Sequence, residues 1–345
     1  MLFFGSDGGF VGAKSRYDGC RLMLLGLVLA QSGSVMAGEE DIYFTSLPVV
    51  ATVSRLPQKL SEAPGAVTVI DQDMIRASGV RSVADLMRLV PGFQVGATSQ
   101  DGALVAYHGL SNGMSSEQYT PRVQVLVDGR SLYSPLFKSG INWNLVPVVL
   151  EDIERIEVIR GSNSVSYGSN AFLGVINIIT QHSSQASGWM FAANHGNQSI
   201  SDETLRWGGR VGNADVRFSY HQLGDGGVQK MTSNGWQTSF DPHDSRHSRV
   251  LDLRADIPLT DRDELQIALG QSYDISQYGR PNSAIDPFRD LNQSSSYFNA
   301  EWRRNLAQDQ ELKLRFAHVE DWMSAHDIQK LSYTPVSGSS RSYFY

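Results

Sequence analysis

The chain has 345 residues, 41% hydrophobic and 19% charged, with 29 Lys and Arg against 36 Asp and Glu for a formal net charge of −7. That balance, with no polybasic run, argues against a nucleic-acid binder, which needs a basic face to neutralise phosphates. The one cysteine, Cys20, lies in a segment expected to be removed, so a disulfide framework, a thiolate metal site and a cysteine nucleophile are excluded together.

Residues 1–37 read as a secretory signal peptide: Lys14, Arg16 and Arg21 lead into the apolar run Leu22–Ala30, and Val35-Met36-Ala37 offers a small-residue cleavage site. The run is too short to cross about 30 Å of hydrocarbon, which takes about 20 helical residues. Any membrane association of the mature chain must therefore come from strands.

Residues 38–60 read as an extended arm, in which Leu47, Pro48, Val49, Val50, Ala51, Thr52, Val53 and Ser54 form a β-branched stretch without a helix signal. Such a stretch can add itself to the sheet edge of a partner, or it can be an ordinary edge strand or linker.

From residue 61 to residue 183 the pattern is a small mixed α/β unit. Val67–Ile70 is a short buried strand, Asp71 is placed to cap a helix running to Ser78, and Gly79 is its stop. Ser82 and Asp85 make a capping-box pattern. Val83, Leu86, Met87 and Val90 then give one apolar helical face, ended by Pro91-Gly92. Ala103–Tyr107 and Arg122–Val127 read as strands, the second ending in the turn dipeptide Asp128-Gly129. Ile153–Arg160 alternates Ile156 and Val158 against Arg155, Glu157 and Arg160.

The run from Ile153 to Gly161, with Ser164, Tyr167-Gly168, Ala171 and Gly174–Thr180 after it, closely resembles the signature that closes the plug of TonB-dependent outer-membrane receptors. The resemblance reaches back over Pro64–Val95 and Val123–Arg130. It implies that Leu47 to Val53 are the TonB box and that Arg155, Glu157 and Arg160 make polar contacts between plug and barrel. Two departures stand out: Ser162 replaces the usual proline, and His108-Gly109 replaces the usual arginine-glycine pair.

From residue 188 to residue 345 the sequence changes to roughly ten-residue alternating segments, the form of a transmembrane β-barrel. Trp189, Phe191 and Ala193 share one face. Leu251, Leu253, Ala255 and Ile257 oppose Asp252, Arg254 and Asp256, and Leu265, Ile267 and Leu269 follow the same rule. Phe298 and Trp302, then Leu312, Leu314 and Phe316, continue it. Apolar side chains are expected to face lipid and charged ones the lumen. Short connections at Gly212-Asn213, Leu259–Arg262 and Asn305–Asp309 alternate with longer ones, as periplasmic turns and outer loops do.

The expected fold is thus an α+β plug followed by about seven antiparallel barrel strands, where plugged transporters use about 22. The Gly/Ser-rich segment from Ser337 reads as a loop, and the incomplete barrel suggests a truncated or fragmentary reading frame. No nucleophile elbow, phosphate loop or dinucleotide fingerprint appears, so no enzyme and no cofactor is expected. His243 and His247, with Asp241 and Asp244, lie in a polar loop around Pro242 rather than on a helical face, and no metal site is expected there.

The resemblance implies an outer-membrane receptor that takes up a scarce chelate, with a ferric siderophore ahead of cobalamin, and with TonB, membrane lipid and the chelate as partners. The other readings are a remnant without transport and a secreted plug-like binding module. The alternating strands after Gly188 disfavour the second of these.

Overall fold

The structure is a computed structural model and describes residues 49–50, 58–59, 65–98, 102–109, 122–134, 136, 140–227, 231–232, 239–240, 244–279, 288–307, 310–329 and 332–344. The expected signal peptide lies outside them. Within the arm, β1 (Val49–Val50) pairs antiparallel with β2 (Gln58–Lys59), so two residues expected in a free extended arm belong to a hairpin.

The plug begins with β3 (Ala66–Asp71) and α1 (Gln72–Ser78). Asp71 caps α1 through its side chain, which accepts from the Met74 amide at 2.8 Å, and Gly79 ends the helix with φ 64°. Ser82 caps the one-turn α2 (Val83–Leu86), accepting from the Asp85 amide and donating to its carboxylate. Val83, Leu86, Met87 and Val90 are all buried, as their spacing requires. β4 (Phe93–Thr98), a strand that the sequence did not announce, forms a hairpin with β5 (Gly102–Tyr107).

Next come β6 (Val123–Val127), β7 (Arg130–Ser131), β8 (Ile153–Arg160), α3 (Ser164–Tyr167) and β9 (Gly174–Thr180). Their sheet has the order β3-β8-β9-β6-β7, with β6 and β9 parallel and the other neighbours antiparallel. All five residues of β6 are buried, because both faces of the sheet are covered. Val123, Val125 and Val127 face a large core with Ile156, Val158, Ile176 and residues of α1, α2 and the β4-β5 hairpin. Leu126 faces a smaller cluster with Ile159, Ala171 and Val175. Period-two alternation here separates two cores rather than core from solvent.

A turn at Ser183–Ala186 leads into a wall of strands: β10 (Gly188–His195), β11 (Ser201–Val211), β12 (Ala214–Asp225), β15 (Arg246–Pro258), β16 (Asp263–Tyr278), β17 (Arg289–Ala307), β18 (Gln310–Gln329) and β19 (Ser332–Phe344). A small hairpin of β13 (Met231–Thr232) and β14 (Ser239–Phe240) lies between β12 and β15. The eight wall strands run in chain order, each antiparallel to the next. The seven expected strands are all present and β19 joins them. Its Gly/Ser-rich sequence has little strand propensity, but the open edge of β18 supplies a ladder from Ala317 to Gln329.

The faces of the wall follow the alternation. Trp189, Phe191, Leu251, Leu269, Phe298, Leu314 and Phe316 point outward and are exposed, while Asp252, Arg254, Asp256 and Glu301 point inward and are buried. Gly212-Asn213 and Leu259–Arg262 are the short turns, as expected. The longer strands β12, β16 and β17 take up residues that the sequence left to loops.

Candidate functional site: the seam between plug and wall

The plug meets the inner face of the wall along a seam of charged and polar pairs. At one end Arg81, in the turn between α1 and α2, sends Nε to Asp202 at 2.6 Å and Nη2 to the same carboxylate at 2.8 Å. Its Nη1 reaches Asp225 at 2.8 Å and Nη2 also reaches the Gly224 carbonyl at 3.0 Å. The hydrogen bonds to Asp202 raise the Arg81 pKa above the ordinary arginine value, so its charge is permanent.

In the middle, Glu151 and Asp152 of the turn before β8 face β11 and β12. Thr204 Oγ1 lies 3.3 Å from Glu151 and 2.9 Å from His221 Nδ1, and Arg206 donates to the Glu151 carbonyl at 3.0 Å. Arg217, almost fully buried, donates to the Gln181 carbonyl at 2.8 Å and to Asp252 at 3.1 Å, with Asp152 3.4 Å away. Tyr297 donates to the other oxygen of Asp252, and Arg130 of the plug lies over the Tyr297 ring at 3.9 Å. Burial lowers the Arg130 pKa, and the nearby phenol and carboxylates Asp128, Asp252 and Asp321 oppose that shift.

Below this, Asp128 accepts from the Thr180 amide at 2.9 Å and its hydroxyl at 2.8 Å, closing the β6-β7 turn onto β9. Arg254 of the wall donates to Thr180 Oγ1 at 2.8 Å and forks onto Asp256, whose Oδ2 also accepts from the Ser183 amide at 2.9 Å. His182, Asp256 and Glu264 cluster closely enough to suggest a metal. Their hydrogen bonds fit an ordinary polar joint better. His182 Nδ1 accepts from the Ser184 amide at 3.2 Å, so Nε2 carries the proton and donates to Glu264 at 3.0 Å, while both Asp256 oxygens are taken.

The residues expected at this seam sit differently. Arg155 Nε donates to Glu157 at 2.8 Å and the guanidinium also pairs with Glu154, so these bonds stay within the plug. Glu157 is 0% exposed. Arg155 lines a cavity of about 1210 Å³ together with Arg303, Lys313 and Arg315 of the wall. Arg160 Nε is buried without a hydrogen-bond partner among the described residues. Of the expected TonB box, Val49 and Val50 form β1, and Leu47, Pro48, Ala51, Thr52 and Val53 lie outside the described residues. Asp241 and His243 do so too, and His247 is exposed on β15.

Arg81, Asp128, Asp152 and Gln181 were not expected at this seam from sequence, although Asp128 was read as a turn residue. The one available signal was the row of inward acids Asp202, Asp252 and Asp256, since acids on a lumen face need cationic or N–H partners.

The sequence pattern of the TonB-dependent Receptor Plug Domain family matches residues 59–175. The Vitamin B12 transporter BtuB of Vibrio vulnificus is 36% identical over 144 residues, covering 42% of this chain and 22% of that protein. The Iron-regulated outer membrane virulence protein of Vibrio cholerae is 28% identical over 325 residues, covering 84% of this chain and 47% of that protein. Among solved structures, the ferripyoverdine receptor of the Pseudomonas aeruginosa outer membrane superposes with a TM-score of 0.64 at 16% identity, over 86% of this chain and 41% of that one. The chain spans less than half the length of each of these proteins. A matching plug sequence, a matching plug-and-wall fold and a polar seam between them lead to one assignment: residues 59–175 are a TonB-dependent receptor plug domain, set against strands that share the fold of the solved receptors.

Proposed function

We propose that the chain serves in the outer membrane of a Gram-negative cell as the plug and first barrel strands of a receptor for active uptake of a scarce chelate. The observation that carries this reading is the arrangement of the seam: a folded plug, with β3 at the edge of its sheet, is held against an alternating strand wall. TonB would engage residues Leu47 to Val53 and draw on the arm, and the plug would rearrange as a two-state element. Lipid contacts the outward aromatics, and the chelate enters from the extracellular side.

A ferric siderophore is the favoured cargo, supported by the overlap with an iron-regulated outer-membrane relative along most of this chain. Cobalamin is the second reading, supported by the identity to a vitamin B12 transporter in the plug half. Uptake of radiolabelled iron chelates and of cyanocobalamin by cells expressing the intact gene separates the two. Val50→Pro, which removes a strand donor, should abolish energised uptake and leave ligand binding intact. Unchanged uptake would overturn the coupling role.

A further inference from the structure

Arg81, Arg217, Arg246 and Arg254 each reach a carboxylate along the seam. Arg130, which opens β7 on the plug side, does not. It is 3% exposed, neither Nη1 nor Nη2 has a hydrogen-bond partner, and it forms no ion pair among the described residues. Its guanidinium lies instead over the Tyr297 ring of the wall. The acids around it are bonded elsewhere or stand off. Asp252 accepts from Tyr297 and Arg217, and Asp128 accepts from Thr180 with Arg254 3.6 Å away. Asp321 lines the same small cavity as Arg130 without pairing to it. A stacked ring and carboxylates out of bonding range thus replace the hydrogen bonds that water gives the five N–H donors of a guanidinium. A buried donor left unbonded opposes the burial of the segment that carries it, and here that segment is the β6-β7 turn of the plug.

We propose that Arg130 is a release device built into the seam: its unbonded guanidinium keeps the plug less tightly seated than its packing allows, so that the plug leaves the wall at lower cost. The proposal rests on the uptake reading above and adds a residue that sets how readily the plug rearranges. The gain on release falls on the plug side alone. When the β6-β7 turn lifts, Nη1 and Nη2 regain water, while Asp252 keeps both Arg217 and Tyr297, since all three belong to the wall. Asp128 likewise keeps Thr180, since both belong to the plug.

The test follows hydrogen exchange in the full chain in detergent, at the Ser183 amide, which bonds across the seam to Asp256, and at the β6 amides Val123 to Val127. Arg130→Met keeps an unbranched side chain over the Tyr297 ring without the charge, and should slow exchange at both places about ten-fold or more. Exchange that is unchanged or faster would overturn the proposal, because the guanidinium would then hold the seam. Arg130→Lys keeps a buried and more strongly hydrated charge, and should exchange as fast as the unaltered chain or faster. Slowing equal to that of the methionine variant would also overturn it, since charge would not be the cause. In cells expressing the intact gene, Arg130→Met should take up saturating cargo about three- to ten-fold more slowly. Uptake at the unaltered rate would overturn the role in release. If the unaltered receptor takes up neither an iron chelate nor cyanocobalamin, the uptake reading itself falls. That outcome is distinct, because the exchange rates then decide alone whether Arg130 opposes docking of the plug.

Discussion

Arg81 and Asp202, 121 residues apart in the chain, meet in a two-bonded fork that joins the turn after α1 to the start of β11. Both side chains are largely shielded from solvent, and the fork geometry of a guanidinium on a carboxylate adds direction as well as charge. Asp202→Asn should lower stability by about 1–3 kcal/mol, since it weakens a charge-assisted pair and leaves Arg81 with Asp225 as its one carboxylate and the Gly224 carbonyl. A double-mutant cycle with Arg81→Met in urea unfolding should give a coupling energy of about 1 kcal/mol or more. Additive losses would mean that the pair is not a joint between plug and wall.

Gly129 tests how closely the β6-β7 turn approaches the wall. It has φ 75°, and an added Cβ would collide with the Arg315 guanidinium. Gly129→Ala therefore strains the backbone and displaces a guanidinium already bound to Glu301. A loss of about 1–3 kcal/mol is expected, part of it recovered in Gly129→Ala with Arg315→Ala. No recovery would assign the whole cost to backbone strain.

Tyr297 has two roles that substitutions can separate. Tyr297→Phe removes the donor to buried Asp252 but keeps the ring under Arg130, and should cost about 1–3 kcal/mol. Tyr297→Leu should cost about 1 kcal/mol more, because the cation–π contact is also lost. Equal thermal stabilities for the two variants would deny the stacking any weight.

The lipid assignment of the outer face is tested at Leu269, near the middle of β16 and exposed. Leu269→Arg should impair membrane assembly, at a cost of about 2–4 kcal/mol for a lipid-facing charge near the bilayer centre, while Leu269→Phe should assemble normally. Heat-modifiable mobility of the membrane fraction reports assembly. Equal assembly of both variants would place this face away from lipid.

Much of the plug was legible because its signals are local. Asp71, Gly79 and Ser82 act through neighbours within four residues, and Val83, Leu86, Met87 and Val90 needed only helical spacing to be assigned to the core. The β4 strand was missed because Gly96 and Ala97 have weak strand propensity and only pairing with β5 makes it one. β19 was missed for the same reason on a larger scale. Arg155 and Glu157 share one face of β8 as expected, but Arg160, expected beside them, falls on the face of Ile156 and Val158, because a strand alternates with period two, and alternation does not say which partner waits for a charge.

The sequence by itself determined the order of plug and wall, the capped helices, and the inward and outward faces of the wall strands before β19, because caps and period-two patterns are written in adjacent residues. Only the tertiary structure decided which charges meet: Arg81 with Asp202, Asp152 with Arg217, Asp128 with Thr180 and Arg254. Those pairings depend on how a plug of one chain segment sits against strands many residues away, and a Coulomb pair leaves no spacing in the chain by which to find it.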